Sequence, residues 1–131
     1  MNQPPLRPIA TDEELAGTLI EKRRLSLFEV FRVSLQRTGE MIVVGKTFRN
    51  CTLEGPCLLL TTDGSVIENC NLGDALGDMR NLLFAPIGDK VIGALVFADC
   101  RFEGCHFANV GFTGSPEFLN ALVGSAQRYA P

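Results

Sequence analysis

The chain has one histidine, no apolar run approaching the roughly 18 to 20 residues that cross a bilayer, and no excess of basic charge. Each shortage closes a class of function. Any histidine-dependent acid–base or nucleophilic mechanism must run through His106. Twelve Lys and Arg against fifteen Asp and Glu leave a net charge of −3, which offers no field for phosphates, so nucleic acid is not an expected partner. The opening MNQPPLRPIA lacks the apolar block of an export signal, and the expectation is a cytoplasmic protein without membrane association. Neither CxxC nor HxxxH occurs, which argues against a zinc-type centre, and GDALGD and IGDK lack the Lys-Ser/Thr ending of a phosphate loop. No metal, no cofactor and no catalytic residue are expected. Five cysteines, an odd number, argue for reduced thiols over a disulfide framework. With 131 residues, 46% hydrophobic and 21% charged, the chain fits one ordered domain.

What is present is a repeat. FRNCTLEG from Phe48, IENCNLGD from Ile67 and FADCRFEG from Phe97 share large apolar, any, Asn or Asp, Cys, any, Leu or Phe. The cysteines Cys51, Cys70 and Cys100 lie 19 and 30 residues apart. The excess can be placed, because strand-like PCLLLTT at Pro56 to Thr62 has a counterpart in RNLLFAP at Arg80 to Pro86. Two Gly- and Asp-rich insertions, Asp74 to Met79 and Ile87 to Gly93, then read as surface loops on a repeating frame.

Phe97, Phe102, Phe107 and Phe112 recur every five residues, a period that suits neither an α-helix nor an alternating strand. Here the chain resembles the pentapeptide-repeat family, across about residues 46 to 115. The resemblance implies a right-handed parallel β-helix with a large apolar residue and, two positions earlier, a small one facing inward. Cys100, Cys105 and Val110 fill the small position before Phe102, Phe107 and Phe112; Cys51 and Cys70 fill it before Leu53 and Leu72. Cysteine is a small, polarizable filler for a narrow interior. Asn50, Asn69 and Asp99 fall at one bend, where short polar side chains tolerate turn conformations, and Gly55 and Gly104 at the next.

The fold class read from these features is mainly β: a short right-handed parallel β-helix, a solenoid of three to four coils, with an N-terminal helical segment and a short C-terminal helix. The expected divisions are a flexible tail over 1–10, a helical cap over 11–40, the β-helix over 41–115, a helix over 116–125 and a tail over 126–131. Thr11 and Glu14 form a capping box that opens a helix through TDEELAGTLIEKRR. Residues 25–35 read either as helix, from Leu27, Phe28, Phe31 and Leu35, or as strand, from Leu25, Leu27, Val30 and Val33. MIVVG at Met41 to Gly45 reads as the first strand. Ser115, Pro116 and Gly124 suit the N-cap, first position and stop of the last helix.

Open ends of such a stack recruit a second chain or are covered. The functional expectation is therefore a non-catalytic scaffold or protein-interaction module that forms homo-oligomers, with an unidentified protein partner as a further option. The inserted loops are the first place to look for recognition. Two alternatives carry weight. One is a carbohydrate-active lyase or hydrolase using outward Glu54, Glu68, Asp99, Arg101 and Glu103 with Asp74 and Asp78, a likeness of architecture alone. The other is an acidic DNA mimic, which the family resemblance implies but which Lys46, Arg49 and Arg101 interrupt.

Overall fold

The computed structural model describes residues 6–62, 64–88 and 90–129, with side chains described through residue 124. The first helix, α1 (Asp12–Ala16), opens on the capping box: Glu14 N–H donates to Thr11 Oγ1 at 3.2 Å and Thr11 N–H to Glu14 Oε1 at 3.0 Å. It is far shorter than the helix expected through Arg24. Gly17 leaves it in an extended conformation, and two strands follow, β1 (Leu19–Glu21) and β2 (Arg24–Ser26). Extended geometry sets Ile20 and Leu25 beside Phe48 and Leu53 of the neighbouring strands, and that burial overrides a modest helical propensity. Residues 8–10, within the segment expected as a flexible tail, pair with β2: Arg24 N–H donates to Pro8 O and Ala10 N–H to Arg24 O. The part of that expected tail over 1–5 lies outside the described residues.

The ambiguity over residues 25–35 resolves by division. Leu25 is in β2, and α2 (Leu27–Thr38) begins two residues later, burying Leu27, Val30 and Val33. Gly39 ends it with φ 75°, its N–H donating to Leu35 O at 2.8 Å, a left-handed stop that glycine adopts without steric cost.

The remaining strands are β3 (Ile42–Val44), β4 (Thr47–Arg49), β5 (Thr52–Thr61), β6 (Val66–Glu68), β7 (Leu95–Ala98), β8 (Arg101–Glu103) and β9 (His106–Thr113). MIVVG thus holds the third strand. Among the described residues all pairings are parallel, in two sheets: one ordered β1-β4-β8-β6, the other β2-β5-β7-β3, with β9 also on β5. The chain is mainly β with parallel sheets and few helices. Where PCLLL is strand, its counterpart NLLFA is a 3₁₀ turn over Met79–Leu82, capped by Asp78, and a single bridge from Leu83 to Phe112.

Space does not follow sequence. Ile20, Phe48, Phe102 and Ile67 stand side by side on successive strands, so β8 separates β4 from β6. The same holds on the other sheet, where β9 pairs β5 while His106 and Phe112 also bridge Asn71 and Leu83. The last strands therefore lie between two earlier segments.

The final helix, α3 (Pro116–Tyr129), starts as the sequence suggests, with Phe118 N–H donating to Ser115 Oγ at 3.1 Å. It does not stop at Gly124. A glycine costs a helix about 1 kcal/mol, but Gly124 takes neither the extended conformation of Gly17 nor the left-handed one of Gly39, and the helix runs on. Residues 126–129, expected as tail, are helical; 130–131 lie outside the described residues.

Candidate functional site

The residues singled out by the repeat converge on the core. Cys51, Cys70, Cys100, Cys105, Leu53, Leu72, Phe97, Phe102, Phe107 and Phe112 are all buried in one cluster. The phenylalanines touch in series: Phe48 and Phe102 stack with centroids 5.1 Å apart and planes 6° from parallel, and Phe107 meets Phe112 edge-on at 5.1 Å.

The register among the cysteines differs from the sequence alignment. Phe48, Phe102 and Ile67 are partners, so the third member of the row containing Cys51 and Cys70 is Cys105, and Cys100 sits one repeat unit earlier. There its neighbours are Lys46 and Ser65, with Ser65 Oγ accepting from Cys100 N–H at 3.2 Å. A strict five-residue beat offers two registers that are locally equal, and strand pairing chooses between them. The corners shift likewise. Lys22, Asn50, Gly104 and Asn69 share one bend at φ 53°, 56°, 64° and 54°, whereas Asp99, at φ 52°, shares an earlier bend with Gly45. Gly104 is thus level with Asn50 and Asn69.

Each buried thiol donates to a neighbouring strand: Cys51 to Ile20 O, Cys105 to Phe48 O and Cys70 to Phe102 O, each at 3.3 Å. Cys100 reaches Val43 O at 3.8 Å. The repeat reflects register, since every acceptor is the partner of the residue three before the donor cysteine. Cys105 N–H also donates to Cys70 Sγ at 3.3 Å. A hydrogen bond with Cys105 and burial push the Cys51 thiol up, burial pushes Cys100 up, and burial raises half-buried Cys57 to about 11. Cys70 is drawn down by its hydrogen bond with Cys105. Cys51, Cys57 and Cys100, held protonated in this way, are poor nucleophiles and poor ligands. Among the described residues no three His, Cys, Asp or Glu side chains are grouped to hold a metal ion.

The outward charges are paired. Arg49 lies 3.0 Å from Glu103 and 3.6 Å from Glu21, and Arg101 lies 2.9 Å from Glu103 and 3.3 Å from Glu68. Arg24 holds Glu54 at 3.0 Å. Arg101 and Arg49 together hold the Glu103 carboxyl below its usual range. Half-buried His106 lies between Thr52 and Asn71, its N–H bonded to Cys51 O.

No family model, curated protein or solved structure matches the chain. The likeness to pentapeptide repeats rests on its residues.

Two grooves remain. One, of about 380 Å³, runs between Pro56, Cys57, Leu82, Phe84 and Gly111 and includes Asp74 and Ala75 of the first inserted loop. That loop satisfies itself: Asp74 Oδ1 accepts from Leu76 N–H, and Asp78 accepts from Arg80 N–H and pairs with its guanidinium at 2.7 Å. Leu76, Ile87 and Ile92 stand exposed on the two insertions. The other groove, about 450 Å³, lies among α1, α2 and β3 and includes Lys46, a residue the sequence marked only as an interruption of negative charge. The missed signal is its spacing: Lys46 precedes Phe48 as Cys100 precedes Phe102, in an inward position.

Proposed function

We propose that the chain is a short right-handed parallel β-helix that serves as a non-catalytic interaction module and self-associates through one end. Parallel partners with like residues in line, left-handed corners and a small-then-large inward rhythm support the β-helix. The right hand follows the rule for parallel crossovers.

The observation that carries self-association is an asymmetry between the ends. At one, residues 8–10 add a further parallel contact to β2, and α1 and α2 flank the sheets. At the other, β6 is an edge strand as β1 and β3 are, but among the described residues it has no helix packed on it as α2 packs on β3. The insertions leaving this end carry exposed Leu76, Ile87 and Ile92. An open edge beside apolar side chains favours a second copy of the same surface, which closes on itself about a two-fold axis. The arginine-paired carboxylates lend no support to a polysaccharide-cleaving groove or a DNA-like negative stripe.

Light scattering on the purified chain tests this. A dimer is expected for the wild type at micromolar concentration, and a monomer of unchanged circular dichroism for the double variant Ile87→Asp, Ile92→Asp. A wild type that stays monomeric at the highest soluble concentration overturns the reading.

A further inference from the structure

Lys46 is a charged group in a position built for a small apolar one. It is 7% exposed, and its Nζ donates to Gly17 O, the carbonyl at the end of α1, at 2.7 Å. An ammonium carries three N–H donors. Among the described residues no second acceptor and no carboxylate within 4.0 Å serves Lys46. Burial lowers its pKa, the neighbouring Cys100 opposes that shift, and the positive charge of Arg37 adds to it. The ammonium has N–H donors that Gly17 O does not use, and an anion in the groove beside it would be attracted more strongly than in bulk water, because its surroundings are partly of low dielectric.

The groove supplies room and a second kind of surface. Lys46 and Arg37 line it together with Ile42 and Val44, apolar side chains that the edge strand β3 leaves largely exposed. Glu40 also lines it, and Glu13 faces Arg37 at 3.5 Å; these three side chains are exposed and screened by solvent, whereas buried Lys46 has no carboxylate within 4.0 Å among the described residues. One buried positive charge beside an apolar wall selects a single negative charge on an apolar body. We propose that this groove binds a small organic monoanion, its carboxylate on Lys46 and Arg37 and its hydrocarbon on Ile42 and Val44.

The test titrates octanoate, octanol and inorganic phosphate into the intact protein while recording the methyl resonances of Ile42 and Val44. Octanoate is expected to shift them saturably, and octanol and phosphate to bind at least about tenfold more weakly. Lys46→Met is expected to weaken octanoate by a similar factor and leave octanol unchanged. If that variant fails to fold, Val44→Asp, at an exposed position, is expected to abolish octanoate binding. Equal binding of octanol or of phosphate, or no methyl shift with octanoate, overturns the proposal.

Discussion

Thr61 brings a hydroxyl into the core, where Oγ1 is buried and finds no hydrogen-bond partner among the described residues. Valine has nearly the same shape without the unmet donor, so Thr61→Val is expected to raise stability by about 1 kcal/mol, read from the urea midpoint at unchanged slope. The thiols give a pH dependence of definite sign. Cys57 keeps its proton to about pH 11 in the folded chain, against 9.0 for the free group. The unfolded chain releases that proton first, so stability is level below about pH 9 and falls as pH rises toward 11. Urea midpoints at rising pH for the wild type and Cys57→Ala check it: the decline is expected to be shallower in the variant. The corner residues were legible at this scale because left-handed backbone favours Asn, Asp and Gly. Lys46 was not, because its burial follows from register and not from residue type.

Between elements, β5 and β9 approach closely at Gly55. A Cβ at Gly55 would lie on the carbonyl oxygen of Asn109, and both backbones are fixed by pairing on either side. Gly55→Ala is expected to cost about 3 kcal/mol or more, whereas Gly88→Ala, with open space around its Cβ, is expected to stay within about 0.5 kcal/mol. Thermal unfolding of the two variants distinguishes them. Helix starts were readable from their caps, Thr11 and Ser115, since a cap is a local hydrogen bond. The ends of α1 and α3 were not. Whether α1 continues past Gly17, or α3 past Gly124, depends on what neighbouring elements offer to residues such as Ile20 and Leu25, which no local pattern contains.

At the scale of the molecule, the repeat was visible but the order of its members was not, because parallel backbone pairing is chemically alike whichever segment supplies the neighbour. That order has a mechanical consequence. β4 and β6 do not pair with each other; each pairs with β8, so the sheet is complete only when residues 95–113 lie between earlier segments. Phe102 sits at this junction, fully buried against Phe48, Phe97 and Phe107. A chain ending at residue 92 would retain α1, α2 and β1 to β6 but lose the strands that join β4 to β6 and β3 to β5. Fragment 1–92 is therefore expected to unfold without a cooperative transition, and equimolar fragment 93–131 to restore the β-sheet circular dichroism and a single thermal transition. Phe102→Ala in the second fragment, which removes about 3–5 kcal/mol of burial, is expected to abolish that recovery. Cooperative unfolding of fragment 1–92 on its own would show instead that the earlier strands pair directly and that the last segment is an addition to a finished sheet.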